Sequence, residues 1–397
     1  MNRRNFIKRS LFTVAATGLV PSLFSRTALA AGGNGKILVL YHLFGGNDAV
    51  NTLIPYAQSE YASFRPDIAI PSANVITLDS SLGLHPALQP MMDNLWNNGQ
   101  LALISQVGYP NHNRSHFVST AIWNTGDPDR PNKTGWLGPY IDEQNDPFCA
   151  TNFGSTLPRA LRGVHTAGLS IESISGFGLG GSNWEGQLQT ELLRQIQQGR
   201  HGTAEEVRKA MEHMLRSVER VREMGNVNVT PDLFPNTSYG RRFADIARMI
   251  KGDFPSQVYY ASSGGFDTHS DQGGATGNQA NLLGQLAAAL SAFRQEMITQ
   301  GRWNDVVVMV FSEFGRRVQQ NASGGTDHGK GGVMFVTGGA VQGGVYGGVP
   351  ALAEDQLDDG DLPVKVDFRS VYAAGAQFIG ANPAELVGAE HTPLDLF

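Results

Sequence analysis

The sequence predicts an α/β protein in three layers, with helices covering both faces of a largely parallel sheet. Two observations carry that prediction. Apolar runs at 36–44, 101–108, 167–174, 257–263, 305–314 and 332–339 are mostly continuous rather than alternating, which suits strands buried on both faces. Helix candidates at 86–97, 115–124, 203–224, 237–251 and 278–300 fall between them, and strands alternating with helices give a layered α/β domain. The clearest helix signal is 203–224. It opens on Thr203 and Glu206 at capping-box spacing and carries Val207, Met211, Met214, Leu215 and Val218 along one stripe.

Residues 1–30 are set apart from this fold. Paired Arg3 and Arg4, then Phe6 and Lys8, a short apolar stretch interrupted by Pro21, and the small-residue site Ala28-Leu29-Ala30 resemble a twin-arginine export signal cleaved after Ala30. The expectation is a periplasmic or secreted protein handled by the twin-arginine translocation machinery, with no membrane span in the mature chain. Residues 31–397, roughly 365 in number, then form one α/β domain with a sizeable core. A formal charge of -6 and no basic run outside the signal exclude a nucleic-acid partner. Cys149 is the only cysteine, which rules out an intrachain disulfide and a cysteine metal cage.

Two glycine patterns invite a nucleotide reading and neither sustains it. "GFGLGG" (176–181) matches G-x-G-x-x-G but leads into a poor helix start. "GGTDHGKG" (324–331) approaches a phosphate loop, yet Gly331 stands where Ser or Thr would hold magnesium, so a flexible loop is expected there. The acidic stretch 353–363 reads as a solvated loop.

Chemistry is expected at the carboxyl ends of the strands, where open α/β sheets bind ligands. Strand 36–44 is followed by Gly45-Gly46, Asn47 and Asp48; strand 257–263 by Asp267 and His269; and strand 305–311 by Glu313 and Arg316. Asp327 and His328 precede the strand at 332. Carboxylates and imidazoles delivered from separate strand ends suit a divalent cation. Ser115 falls at the start of a helix, where backbone N–H groups and the helix dipole favour an incoming phosphate or sulfate. Arg114 and Arg316 either clamp anionic oxygens or form surface ion pairs.

The ordered set "GGNDAVNTLIPY", "GLHPAL", "GYPNHNRSHF", "TGWLG", "FDTHS", "FSEFGRR", "GGTDHG", "GGAVQGGVYG" and "DFRSVYA" resembles the exported bacterial family called domain of unknown function 1501, over nearly the whole mature chain. That family is similar to the alkaline phosphatase and sulfatase superfamily. The resemblance implies a doubly wound, three-layer α/β/α fold with metal ligands at strand ends. It implies Asp48, Asp267, His269, Glu313 and His328 as ligands and Ser115 as nucleophile. Arg114 and Arg316 would assist, with Asn47 and Asp327 behind the ligands, Asp327 orienting His328. The chain departs from the two-zinc pattern by carrying Glu313-Phe314 where Asp-His is usual, so one imidazole is missing. One or two ions of zinc, calcium, magnesium or manganese are expected. "PFCATNF" around Cys149 lacks the sulfatase Cys-x-Pro-x-Arg signature.

The function expected is an exported metal-dependent hydrolase of small or polymeric phosphate or sulfate esters, with Ser115 or a metal-bound water attacking. A non-catalytic exported binding or assembly protein that keeps a structural ion is the alternative, motivated by the missing imidazole. A metal-free carbohydrate hydrolase fits less well, because histidines recur in the clusters.

Overall fold

The computed structural model describes residues 34–130, 133–177 and 220–397. The twin-arginine segment, most of the expected 203–224 helix and most of the "GFGLGG" run lie outside the described residues. The strands are β1 (Ile37–Leu43), β2 (Leu53–Ile54), β3 (Ile76–Thr77), β4 (Gly83–Leu84), β5 (Leu101–Gly108), β6 (Ala150–Phe153), β7 (Leu169–Ile171), β8 (Val258–Ser263), β9 (Val306–Phe311), β10 (Gly332–Gly338), β11 (Gly344–Tyr346) and β12 (Val366–Asp367). The longer helices are α1 (His116–Thr125), α2 (Ser238–Lys251), α3 (Asn278–Thr299) and α4 (Phe368–Phe378).

Nine strands make one sheet in the order β11-β5-β10-β9-β1-β8-β6-β7, with β12 pairing to β5 beyond that path. Every described pairing in it is parallel except those of β10, which runs antiparallel to β5 and β9. β2, β3 and β4 form a small separate antiparallel sheet.

The continuous apolar runs are explained by two cores. On β1, Val39 and Tyr41 pack with Phe243, Ile246 and Leu286 of α2 and α3, while Leu38 and Leu40 face Trp123, Val371 and Tyr372 of α1 and α4. β9 divides the same way, Val308 and Val310 to one side and Val307 and Met309 to the other. Helices thus cover both faces of a mostly parallel sheet, the doubly wound three-layer architecture expected. Thr237 caps α2 by accepting from Gly240 N, and each fully buried side chain such as Phe243 contributes about 1.5–3 kcal/mol.

β6, β11 and β12 were not expected as strands. β6 is "ATNF", four residues whose Thr151 hydroxyl bonds Ser256 Oγ at 2.7 Å, so its burial is partly polar and leaves no apolar run. The segment 353–363 is not simply solvated: Asp361 and Leu362 are fully buried. The 324–331 loop is packed rather than loose, with Gly325 against Thr268 and His269 backbone and Gly329 against Arg316 backbone. Among the described residues no helix is long and apolar enough to cross a membrane.

Candidate metal centre

Topology brings five chain segments to one edge. β1, β8 and β9 are adjacent and parallel, so the turns after Leu43, Ser263 and Phe311 emerge together. β5 points the same way and leads through its loop to α1. β10 is reversed, and its first residue therefore lies where the others finish, which delivers His328 to the same place.

Gly45 and Gly46 make this edge possible. Both have positive φ, 122° and 77°, a region glycine enters without strain. A Cβ on Gly45 would collide with the Asp267 amide, and one on Gly46 with the Phe314 ring. Arg316, fully buried, ties the same turn down by donating to the carbonyls of Gly45, Gly46 (2.8 Å), Phe266 (3.0 Å) and Thr326 (2.8 Å) and to Asp267 Oδ1 (2.6 Å).

Asp267 is the centre of the cluster. His328 Nε2 and His269 Nε2 each stand 3.1 Å from its Oδ1 and 2.9 Å from one another. His116 Nε2 stands 3.4 Å from Oδ2. The ligand atoms of His116, Asp267 and His328 all lie within 4.8 Å of one another. Burial opposes ionisation of Asp267, yet the hydrogen bond and charge of Arg316 lead the groups that outweigh it, and its carboxyl is held at about 2.

Each imidazole has its other nitrogen fixed by an acceptor. His116 Nδ1 is 2.7 Å from Glu313 Oε1, His269 Nδ1 is 3.0 Å from Asp327 Oδ1, and His328 Nδ1 is 2.8 Å from the Arg114 carbonyl. Carboxylates and carbonyls only accept here, so the protons sit on Nδ1 and three Nε2 lone pairs face inward. The His116 Nε2 is buried without a hydrogen-bond partner. Arg316 answers the carboxylate charge from one side, but the two imidazole lone pairs 2.9 Å apart still repel, and a cation between them and Asp267 would relieve that. That donor set fits a cation: imidazole and carboxylate, each ligand oriented from behind.

Glu313 lies in this outer layer. It is fully buried, with Oε1 also accepting from Gly45 N at 2.9 Å and Oε2 3.0 Å from His42 Nε2. Burial alone would raise its pKa, but the His116 and His42 bonds reverse that and keep it ionised well below the usual carboxylate range. The same contact with Glu313 raises the His116 pKa, while burial lowers that of His328. The Phe314 ring packs against His116 and His328 at centroid distances of 4.8 and 4.7 Å.

Several expected roles do not match these positions. Asp48 is not turned toward Asp267. Its buried carboxylate caps the short helix Ala49–Thr52, pairs with both terminal nitrogens of Arg65 and accepts from Gln272 Nε2. Asn47 is held by Thr52 and Gln279, away from the imidazoles. Glu313 reaches the cluster only through His116. Each nitrogen of the Arg316 guanidinium is engaged, and the Arg114 side chain pairs with Asp361 and Asp359, so neither guanidinium is an open anion clamp. Asp327 touches His269 rather than His328. Ser115 is exposed, directly precedes His116 and makes no side-chain capping bond. Missing from the expected set was His116, which supplies the imidazole that Phe314 does not. Its signal was its place in "NRSHF", one residue past the helix cap.

A doubly wound, mostly parallel sheet with histidines and carboxylates gathered at one edge defines an α/β protein with a candidate cation site at its strand ends. Residues 180–388 match the family described as protein of unknown function (DUF1501), and the chain belongs to that family. No curated protein matches the chain. Among solved structures it is similar to a protein in the alkaline phosphatase superfamily from Vibrio parahaemolyticus, at 12% identity and TM-score 0.41 over 90% of this chain and 70% of that one. The lipoteichoic acid synthase LtaP from Listeria monocytogenes gives 12% identity and TM-score 0.36, covering 90% and 75%. The C-terminal periplasmic domain of EcEptC from Escherichia coli, in complex with Zn, gives 11% and 0.39, covering 92% and 89%.

Proposed function

We propose that this chain is an exported, metal-dependent hydrolase of phosphate or sulfate esters. The observation that supports it is the convergence of three oriented Nε2 atoms on Asp267. His116, Asp267 and His328 would hold the cation, with the His269 Nε2 beside them. Two imidazoles and one carboxylate suit zinc better than calcium or magnesium, which take oxygen ligands. When bound, the cation supplies Lewis-acid polarisation of an ester oxygen.

The protein's own residues do the rest. Glu313, Asp327 and the Arg114 carbonyl fix the imidazole tautomers. Ser115, its hydroxyl uncapped beside His116, is the nucleophile in this reading: its oxygen bonds to phosphorus or sulfur, and the ester oxygen leaves with the hydroxyl's proton. Water then cleaves the seryl ester. Export rests on the residues before Ala30.

The engagement of both Arg114 and Arg316 favours a second reading, a binding protein in which the cation is structural. Metal analysis of the protein purified without chelator, with Asp267→Ala, His116→Ala and His328→Ala alongside, separates the outcomes. The hydrolase reading expects near one equivalent in wild type, loss in all three variants, and ester hydrolysis that Ser115→Ala abolishes without loss of metal. Metal retained in all three variants would sink the site. Metal bound, but with no ester hydrolysed and no phosphate binding, would leave the structural-ion reading.

A further inference from the structure

We propose that the esters taken by this site carry an apolar alcohol portion, alkyl or aryl, seated on Phe44, Phe117 and Val118; the inference rests on the hydrolase reading above. Six large apolar side chains stand exposed among the described residues, and three of them flank the metal-centre segments in the chain: Phe44, 39% exposed, just before Gly45-Gly46, and Phe117 and Val118, 86% and 37% exposed, just after His116. Phe44 is in contact with a candidate ligand, its ring centroid 5.3 Å from that of His116 in a tilted arrangement. Phe117 and Val118 follow His116 directly at the start of α1, beside Ser115.

The position of these side chains is costly without a ligand. Both exposed phenylalanines of the described chain are here, and the core on this side is filled without them, by Trp123 of α1 stacked on Phe311 and Phe368. Apolar surface rimming a polar centre marks a place where a ligand's own apolar surface leaves water. Gly264 is a close neighbour of Phe44: a Cβ there would fall in ordinary contact with the Phe44 ring, at 4.0 Å. An anionic head at the imidazoles therefore continues naturally into a hydrocarbon tail along Phe44 and the first turn of α1. A sugar or polyol would instead place hydroxyls against rings that offer them no hydrogen bond.

The test uses zinc-loaded full-length mature protein and non-hydrolysable n-alkylphosphonates of one, four and eight carbons, below their micelle concentrations, titrated by calorimetry. Affinity should rise about two- to fourfold per methylene. Phe117→Ser should flatten that dependence at unchanged metal content. Methylphosphonate binding with no gain on lengthening would overturn this inference and leave the hydrolase reading standing. No phosphonate binding at any length by metal-loaded protein would overturn both. A gain that survives Phe117→Ser and Phe44→Ser, or a dimer seen by sedimentation that Phe117→Ser dissociates, would assign the apolar patch elsewhere and overturn it too.

Discussion

Glu313 and Arg316 show how much of this edge is devoted to aiming a few atoms. One is a buried carboxylate bracketed by His42 and His116, the other a buried guanidinium whose contacts span three loops. Neither faces outward, yet each decides where a ligand atom points. Glu313→Gln keeps the shape and an acceptor for His116 Nδ1 but removes the charge that favours the oriented imidazole. Metal affinity should fall about 10–100-fold with the fold retained. A competition titration with a chromogenic chelator reads this directly, and equal affinities would mean that His116 is not positioned by Glu313.

At the scale of elements, the loop from β5 to α1 carries more than its length suggests. His112 lies within it against Tyr109 and Phe314, and burial, with the charges of Arg114 and Lys330, lowers its pKa from 6.5 to about 4. The folded state thus resists protonation that the unfolded chain accepts. Stability contributed by neutral His112 is full above about pH 6.5 and is lost as pH falls toward 4, by up to about 3 kcal/mol. Chemical denaturation at pH 7 and pH 4.5 should show that loss in wild type and a smaller one in His112→Gln; equal losses would remove His112 as the cause.

The elements that were readable from sequence are those buried on both faces. β1, β5, β9 and β10 announce themselves because no residue in them has to meet water. β6 was hidden by the polar residues of "ATNF", and the site was legible only where two chemical groups sit close in the chain. Asp267 with His269, and His328, could be grouped that way. Asp48 could not be corrected from sequence, because its partner Arg65 resembles any surface arginine until the fold buries it. His116 was overshadowed by the hydroxyl beside it. A residue at the first position of a helix projects back toward the strand ends, and that direction exists only once the helix is placed.

For the whole molecule, the two cores do the work that disulfides do in many exported proteins. The only thiol, Cys149, is buried, and burial together with Asp146 pushes it up to about 12. It should be inert to Ellman's reagent in the folded protein and titrate as one thiol in denaturant. Rapid labelling of native protein would contradict the packing around β6 and the sheet face it joins.

The place of β1 sets a timetable for making this protein. β1 sits between β8 and β9, so its Val39 must wait for Tyr259 on one side and Val308 on the other. About 260 residues separate β1 from β9, and at ribosomal rates of about 5–20 residues per second that gap lasts about 13–50 s. For most of that interval the first strand has neither neighbour, since β8 follows β1 by more than 200 residues and comes only shortly before β9. The last metal-centre residue, His328, leaves the ribosome later still, after β9 is complete. On the proposed reading the cation would therefore meet a sheet whose middle is already synthesised, and a nascent chain stopped short of residue 328 would have no complete ligand set to offer.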